Sequence, residues 1–294
     1  MANIAFAALL MVAAACAEDG TNGTNGQDGA DGEPGPSGPT GPAGEDANTV
    51  VDIFTTPDEL LGEIDVQSEI LDIVIAGPPV VTFSLEDEHG RGIVGLAALR
   101  EDEERLVRFN MSKLVAGTDG DPSAWVNYVR DEESGEPDYE ADGDLVDNGD
   151  GTYIYTFSTD VTDVTDIAYD ATLTHRLGGQ IGTRSLALPP VNFAYDFVPD
   201  GSDVTETRNI ATMDTCNGCH DGLMFHGRRF LVEYCVTCHN ADLATGEGDM
   251  GFMIHRIHAA GAFEVLDDAI DYSEVTYPQD LANCRRCHDS AVEA

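Results

Sequence analysis

The chain has 294 residues, 42% of them hydrophobic, enough to bury one large core or two modest ones. Fourteen basic residues stand against 55 acidic ones, a net charge of −41, and Lys113 is the sole lysine. That balance excludes nucleic acid and argues against an anionic lipid surface as partners, because both need clustered cations.

The acid is concentrated in residues 45–205 and reads as a solvated, self-repelling surface. An acidic loop such as DNGDG (147–151) would suit calcium, although no complete calcium-loop spacing follows it. At the start of the chain, the apolar run Ile4–Ala15 is too short to span a bilayer and matches a signal-peptide core, so residues 1–15 predict export. Ala13, Ala14, Ala15 and Cys16 resemble a bacterial lipoprotein cleavage site, with Cys16 as the lipidated residue that ties the chain to a membrane. Every third residue from Gly20 to Gly44 is glycine, a collagen-like Gly-X-Y pattern. Residues 16–47 therefore read as a lipidated N-terminus with a solvated tether; the same composition would also serve a trimerisation stalk.

From 48 to 200 the pattern is period-two alternation. In VVTFSL, Val81, Phe83 and Leu85 share one face; in TYIYTF, Tyr153, Tyr155 and Phe157 do. The Asn-Gly and Asp-Gly pairs of DNGDG precede the second run as a hairpin turn signal, and EHGRG follows the first. Ile167–Arg176 and Ser185–Leu188 are further strand-like runs, while SEILDIVI suits strand or helix. The expected fold is all-β, an antiparallel Greek-key sandwich or barrel-like domain. His89 and His175 read as hydrogen-bonded loop or strand histidines.

Beyond residue 200 strands fade and cysteines and histidines crowd in, so 201–294 is expected to be a second, mostly irregular and helical domain. It contains three copies of Cys-x-x-Cys-His: Cys216, Cys219 and His220; Cys235, Cys238 and His239; Cys284, Cys287 and His288. Two thiols at this spacing reach the two vinyl groups of one haem, and the adjacent imidazole becomes an axial iron ligand. A four-thiolate zinc site fits the first two pairs by spacing, and disulfides are a further use for cysteines in an exported chain. Neither explains the histidine after every pair. Three covalent haem c groups do, and this domain then has three spare histidines, His226, His255 and His258, as distal metal ligands. His255 and His258 lie on one side of a helix, placed to serve two neighbouring haems, and His226 is expected on the helical segment of the first motif. The spacing leaves open which histidine serves which haem.

Two imidazoles per iron leave no open position, which points to electron transfer rather than catalysis. A haem enzyme with one open position is the alternative, and a zinc-binding or structural surface lipoprotein is another. Arg208, Arg228, Arg229, Arg256, Arg285 and Arg286 suit haem propionates or, equally, act as surface counter-charges. Phe225, Tyr234, Phe252 and Tyr277 suit haem edges or core packing.

YDFVPDGS, CNGCH, FHGRR, EYCVTCHN, MIHRIHAAG and TYPQDLANCRRCH together resemble the OmcA/MtrC family of outer-membrane multihaem c-type cytochromes over residues 195–294. The resemblance implies a β-barrel-like domain ahead of a multihaem domain, on a lipoprotein at the outer cell surface. It implies haems ligated by paired histidines that pass electrons to iron or manganese oxides, flavins, or partner cytochromes of an outer-membrane conduit. It also implies proximal roles for His220, His239 and His288 and distal roles for His226, His255 and His258. Family members usually carry ten haems in two β-plus-pentahaem pairs, whereas this chain stops six residues after its third motif and reads as a short or truncated form.

Overall fold

The computed structural model describes residues 49–101, 105–243, 248–259 and 271–289. The signal peptide, Cys16 and the glycine repeat lie outside the described residues. Residues from Glu45 onward form one unit, and among the described residues no helix is long and apolar enough to cross a membrane.

Two sheets carry the β section. The first contains β1 (Val50–Asp52), β2 (Gln67–Val74), β3 (Val80–Glu86), β4 (Gly92–Val94), β7 (Asp144–Asp147) and β8 (Thr152–Thr156), in the order β1-β4-β3-β8-β7 with β2 also pairing β3. The second has the order β10-β9-β5-β6, from β5 (Val107–Val115), β6 (Ala124–Asn127), β9 (His175–Ile181) and β10 (Val191–Phe197). The strands predicted at VVTFSL and TYIYTF are β3 and β8, paired from Val80↔Thr156 to Ser84↔Thr152. SEILDIVI falls largely within β2.

Three expectations need correction. The sheets are open and do not close into a barrel. The pairing is not wholly antiparallel, because β1 runs parallel to β4. The run from Ile167 is mostly turn, with β9 beginning only at His175, and Ser185–Leu188 is not a strand.

Aromatic rings from both sheets meet in the core. Phe83 of β3 lies 5.8 Å from Phe109 of β5 and 5.7 Å from Phe193 of β10, and Phe109 lies 5.0 Å from Tyr155 of β8. Alternation delivers these rings to a single face of each strand, and their burial supplies most of the driving force.

The other face of the second sheet is polar and yet covered. Every residue of β9 is buried; Leu177 joins the core, while Arg176 and Gln180 make contacts to the C-terminal segment. Arg176 is 1% exposed and donates to Asp196 at 2.6 and 2.8 Å, to Thr207 at 3.2 Å, to Asn209 at 2.7 Å and to the Glu233 carbonyl at 3.2 Å. Its guanidinium also lies 4.2 Å from the Trp125 ring centre. One buried cation thus ties β9 and β10 to the chain that follows them. Arg176→Met leaves the Asp196 carboxylate without its partner and is expected to lower the unfolding free energy by about 3 kcal/mol in chemical denaturation.

His175 is also fully buried, donating through Nδ1 to the Leu173 carbonyl (2.9 Å) and accepting at Nε2 from Tyr128 (3.0 Å). His89, in contrast, sits on an exposed turn beside Glu88. Burial pushes the His175 pKa below its ordinary value, against the opposing effect of the Leu173 bond. The unfolded imidazole takes up a proton near 6.5 and the folded one only at lower pH. Its contribution to stability is therefore present above that value and lost as acid carries the pH toward the folded value. His175→Gln is expected to flatten the fall in unfolding free energy between about pH 7 and pH 5, read from denaturant titrations.

Candidate functional site

Four helical elements and one loop matter beyond β10. They are α3 (Met213–Asn217), α4 (Val232–Cys238), α5 (Met250–Ala259), a 3-10 turn at Cys284–Arg286, and a tight loop at Phe225–Arg229. The shorter helices α1 (Asp58–Leu61) and α2 (Leu96–Arg100) belong to the β section.

All three motifs adopt the same local turn. The backbone N–H of His220 donates to the Cys216 carbonyl (3.1 Å), that of His239 to Cys235 (2.8 Å) and that of His288 to Cys284 (2.9 Å). One helical turn therefore holds both thiols and the histidine of each copy together, which is what the three-residue cysteine spacing dictates.

Each motif histidine lies beside one of the three spare histidines. Ring centres are 6.1 Å apart for His220 and His258, 5.9 Å for His239 and His226, and 6.0 Å for His288 and His255. A metal–nitrogen bond of about 2 Å on either side, with about 1 Å from each nitrogen to its ring centre, spans roughly 6 Å. Three imidazole pairs thus stand at the separation of two ligands on one metal.

The ring nitrogens agree. Nδ1 of His239 donates to the Gly248 carbonyl (2.8 Å), that of His255 to Gly251 (2.6 Å) and that of His258 to Ile254 (2.8 Å). In each, that bond occupies Nδ1 and leaves Nε2 as the nitrogen available to a metal. At His226, burial, then the nearby Arg229 and His239, hold the pKa low.

His226 is not on the helical segment of the first motif. It sits at φ 47° in the tight loop, where the Phe225 N–H donates to the Arg229 carbonyl and the Arg229 N–H returns to Phe225. A left-handed backbone at a non-glycine residue is strained and recurs at ligand-holding positions. Gly227, at φ 86°, completes the reversal, and the side chain meets the second motif instead of the first.

The second motif is seated on the polar sheet face. Tyr234 is buried against β9, where a Cβ on Gly178 would stand 2.6 Å from its ring. Asn110 of β5 donates to Thr237 Oγ1 (2.7 Å) and Cys238 Sγ (3.2 Å). Burial pushes the Cys235 thiol up to about 11 and also raises Cys216 and Cys238.

The first and third motifs are joined to each other. The Asp289 carboxylate accepts from the Thr212 hydroxyl (2.9 Å) and from Thr215 at the start of α3, and Arg286 donates to Cys219 Sγ (3.1 Å). Among the described residues no group of three or more His, Cys, Asp or Glu side chains is gathered to hold an ion by itself. In DNGDG the Asp147 and Asp150 carboxylates accept local bonds from Gly149, Gly95 and Thr152, with no converging ligand set.

Of the aromatic candidates, Tyr234 packs in the core, Tyr277 lies 5.3 Å from His258, and Phe225 is exposed. Arg229 spans the Tyr139 and Tyr234 rings, Arg256 lies over Tyr272, and the Arg208 carbonyl accepts from Trp125. Asn110, Gly178 and Arg176 are the supporting residues that sequence reasoning missed. Their only advance signal was a polar, glycine-containing stretch where a strand would carry alternating apolar residues.

Residues 208–294 match the family of outer membrane cytochromes described as MtrC/MtrF-like, domains II/IV. The match covers the segment that carries the three cysteine motifs. The chain is similar over a longer stretch to outer-membrane cytochromes of the OmcA/MtrC type. It is 28% identical over 194 residues to the multiheme cytochrome MtrC of Shewanella baltica (strain OS185), covering 63% of this chain and 29% of that protein. The crystal structure of the outer membrane decaheme cytochrome OmcA superposes with a TM-score of 0.62 at 25% identity, covering 78% of this chain and 40% of that one. The structure of MtrC from Shewanella baltica OS185 gives 0.55 at 26% identity, covering 76% and 39%. The chain thus spans well under half the length of these relatives.

Gly178→Ala drives a methyl group into Asn110 Oδ1 and the Tyr234 ring and is expected to lower the unfolding free energy by about 1–3 kcal/mol. In a double-mutant cycle with Tyr234→Ala only part of the two losses should fail to add, since Tyr234→Ala relieves the ring contact and leaves the one to Asn110.

Proposed function

We propose that this chain binds three haem c groups, one on each Cys-x-x-Cys pair, each held between two imidazoles, and carries electrons along them at the outer cell surface. The observation that carries this reading is the set of three histidine pairs at 5.9 to 6.1 Å, each joining one motif histidine to one spare histidine. The haem supplies reversible one-electron chemistry when bound. The cysteines would attach it, and the paired histidines would hold its metal and leave no site there for a small molecule.

On this reading the ligand sets are His220 with His258, His239 with His226, and His288 with His255, the neighbouring rings in each case. Helix α5 contributes to two of them, which holds the first and third groups near each other, as electron transfer requires. On this reading residues 48–200 are the β-rich part and 201–294 the trihaem part, and Cys16 anchors the chain by a lipid. Partner cytochromes of an outer-membrane conduit would deliver the electrons, and metal oxides or flavins outside the cell would take them.

The test is the visible spectrum and ligand binding of protein matured in a host that attaches haem c. Three low-spin haems per chain with no carbon monoxide binding are expected. His226→Ala, His255→Ala and His258→Ala should each open one haem and bind about one carbon monoxide per chain. A wild-type protein that binds carbon monoxide moves the reading to a haem enzyme, and one without haem bands refutes it.

A further inference from the structure

A cavity of about 620 Å³ opens beside His226, at the edge of the second sheet. Among the described residues its wall carries Arg105, Arg108, Arg184 and Arg228 against one carboxylate, Glu101. In a chain with 14 basic and 55 acidic residues, four arginines around one hollow form a marked local reversal of charge.

Among the described residues none of the four forms a salt bridge. The Nε atoms of Arg108 and Arg228 are buried and have no hydrogen-bond partner. Burial lowers the Arg108 pKa, and the neighbouring Arg229 and Arg105 lower it further. Buried guanidinium groups left in this state want an anion, and a carboxylate matches their fork. Arg184 packs on Gly227, where an added Cβ would stand 3.1 Å from its Nε, so the charge lies next to the residue that carries His226.

We propose that this arginine wall binds a propionate carboxylate of the haem held between His226 and His239, and that it raises the reduction potential of that haem. This rests on the function proposed above, and adds that the β section, through Arg108 and Arg184, sets the potential of one group. Reduction of the iron adds one electron and no proton, so positive charge beside the group favours the reduced form, and does so more strongly where water is excluded. The other two histidine pairs lie away from this wall, since the cavity lining includes His226 alone among the ligand candidates.

The experiment is a potentiometric titration of the haem-loaded protein, followed by visible absorption, for wild type, Arg108→Gln/Arg184→Gln and Arg184→Lys. Loading of all three haems in the wild type is established first, so that a protein without haem counts against the parent reading and not against this one. In the double variant one of the three steps is expected to fall by tenfold or more in its equilibrium constant, about 59 mV for one electron. The other two steps should hold, and Arg184→Lys, which keeps the charge, should shift that step less. The same step should be the one altered in His226→Ala. Three unmoved steps, or three that move alike, overturn the proposal. Binding of citrate or inorganic phosphate to the loaded wild type, lost in the double variant with potentials unchanged, would also overturn it by showing that the wall serves a free anion.

Discussion

The structure depends on a sheet buried on both faces, one apolar and one polar. The apolar face needs no special explanation, since alternation brings Phe109 and Phe193 against Phe83 and the rest of the core. The polar face is unusual because its groups must be satisfied by whatever covers them. Arg176 meets this demand by binding Asp196 within the sheet and the Thr207, Asn209 and Glu233 groups beyond it. Asn110 does the same for Thr237 and Cys238. The segment with the cysteine motifs is thereby fixed by directional bonds, which set its register on the sheet more tightly than apolar contact would.

That register matters because the paired histidines come from separate elements. His226 is carried by a strained loop, His239 by the end of α4, His255 and His258 by α5, and His220 and His288 by turns after the first and third cysteine pairs. Ring separations near 6 Å in all three pairs require those elements to be placed to within a fraction of an ångström of one another. Backbone carbonyls then orient three of the rings through Nδ1, so that tautomer as well as position is set by the chain.

Much of this was legible in the residues. The three cysteine pairs with their following histidines were visible as a repeated motif, and β3 and β8 followed from alternation. The central strand β9 was not legible because HRLGGQI lacks that signal. Its outward residues Arg176 and Gln180 meet the covering segment, and Gly178 and Gly179 make room for the Tyr234 and Phe109 rings. A glycine pair that reads locally as a break is here a close approach in three dimensions. His226 was placed on the wrong segment for a similar reason: sequence proximity to the first motif concealed a chain reversal at Gly227. The pairing of histidines was equally beyond the sequence, because it depends on where α5 passes between two distant turns.

The sharing of α5 has a consequence for how the molecule assembles. Its first-motif and third-motif histidine pairs each close a long loop, whereas His226 and His239 close a short one over a sheet that folds from its own core. Loop-closure entropy therefore favours the second pair forming independently. The remaining two draw on one ten-residue helix, so ordering that helix once commits both histidines together. Formation of two of the histidine pairs is thus a single cooperative event, and damage to either end of α5 is felt at the other.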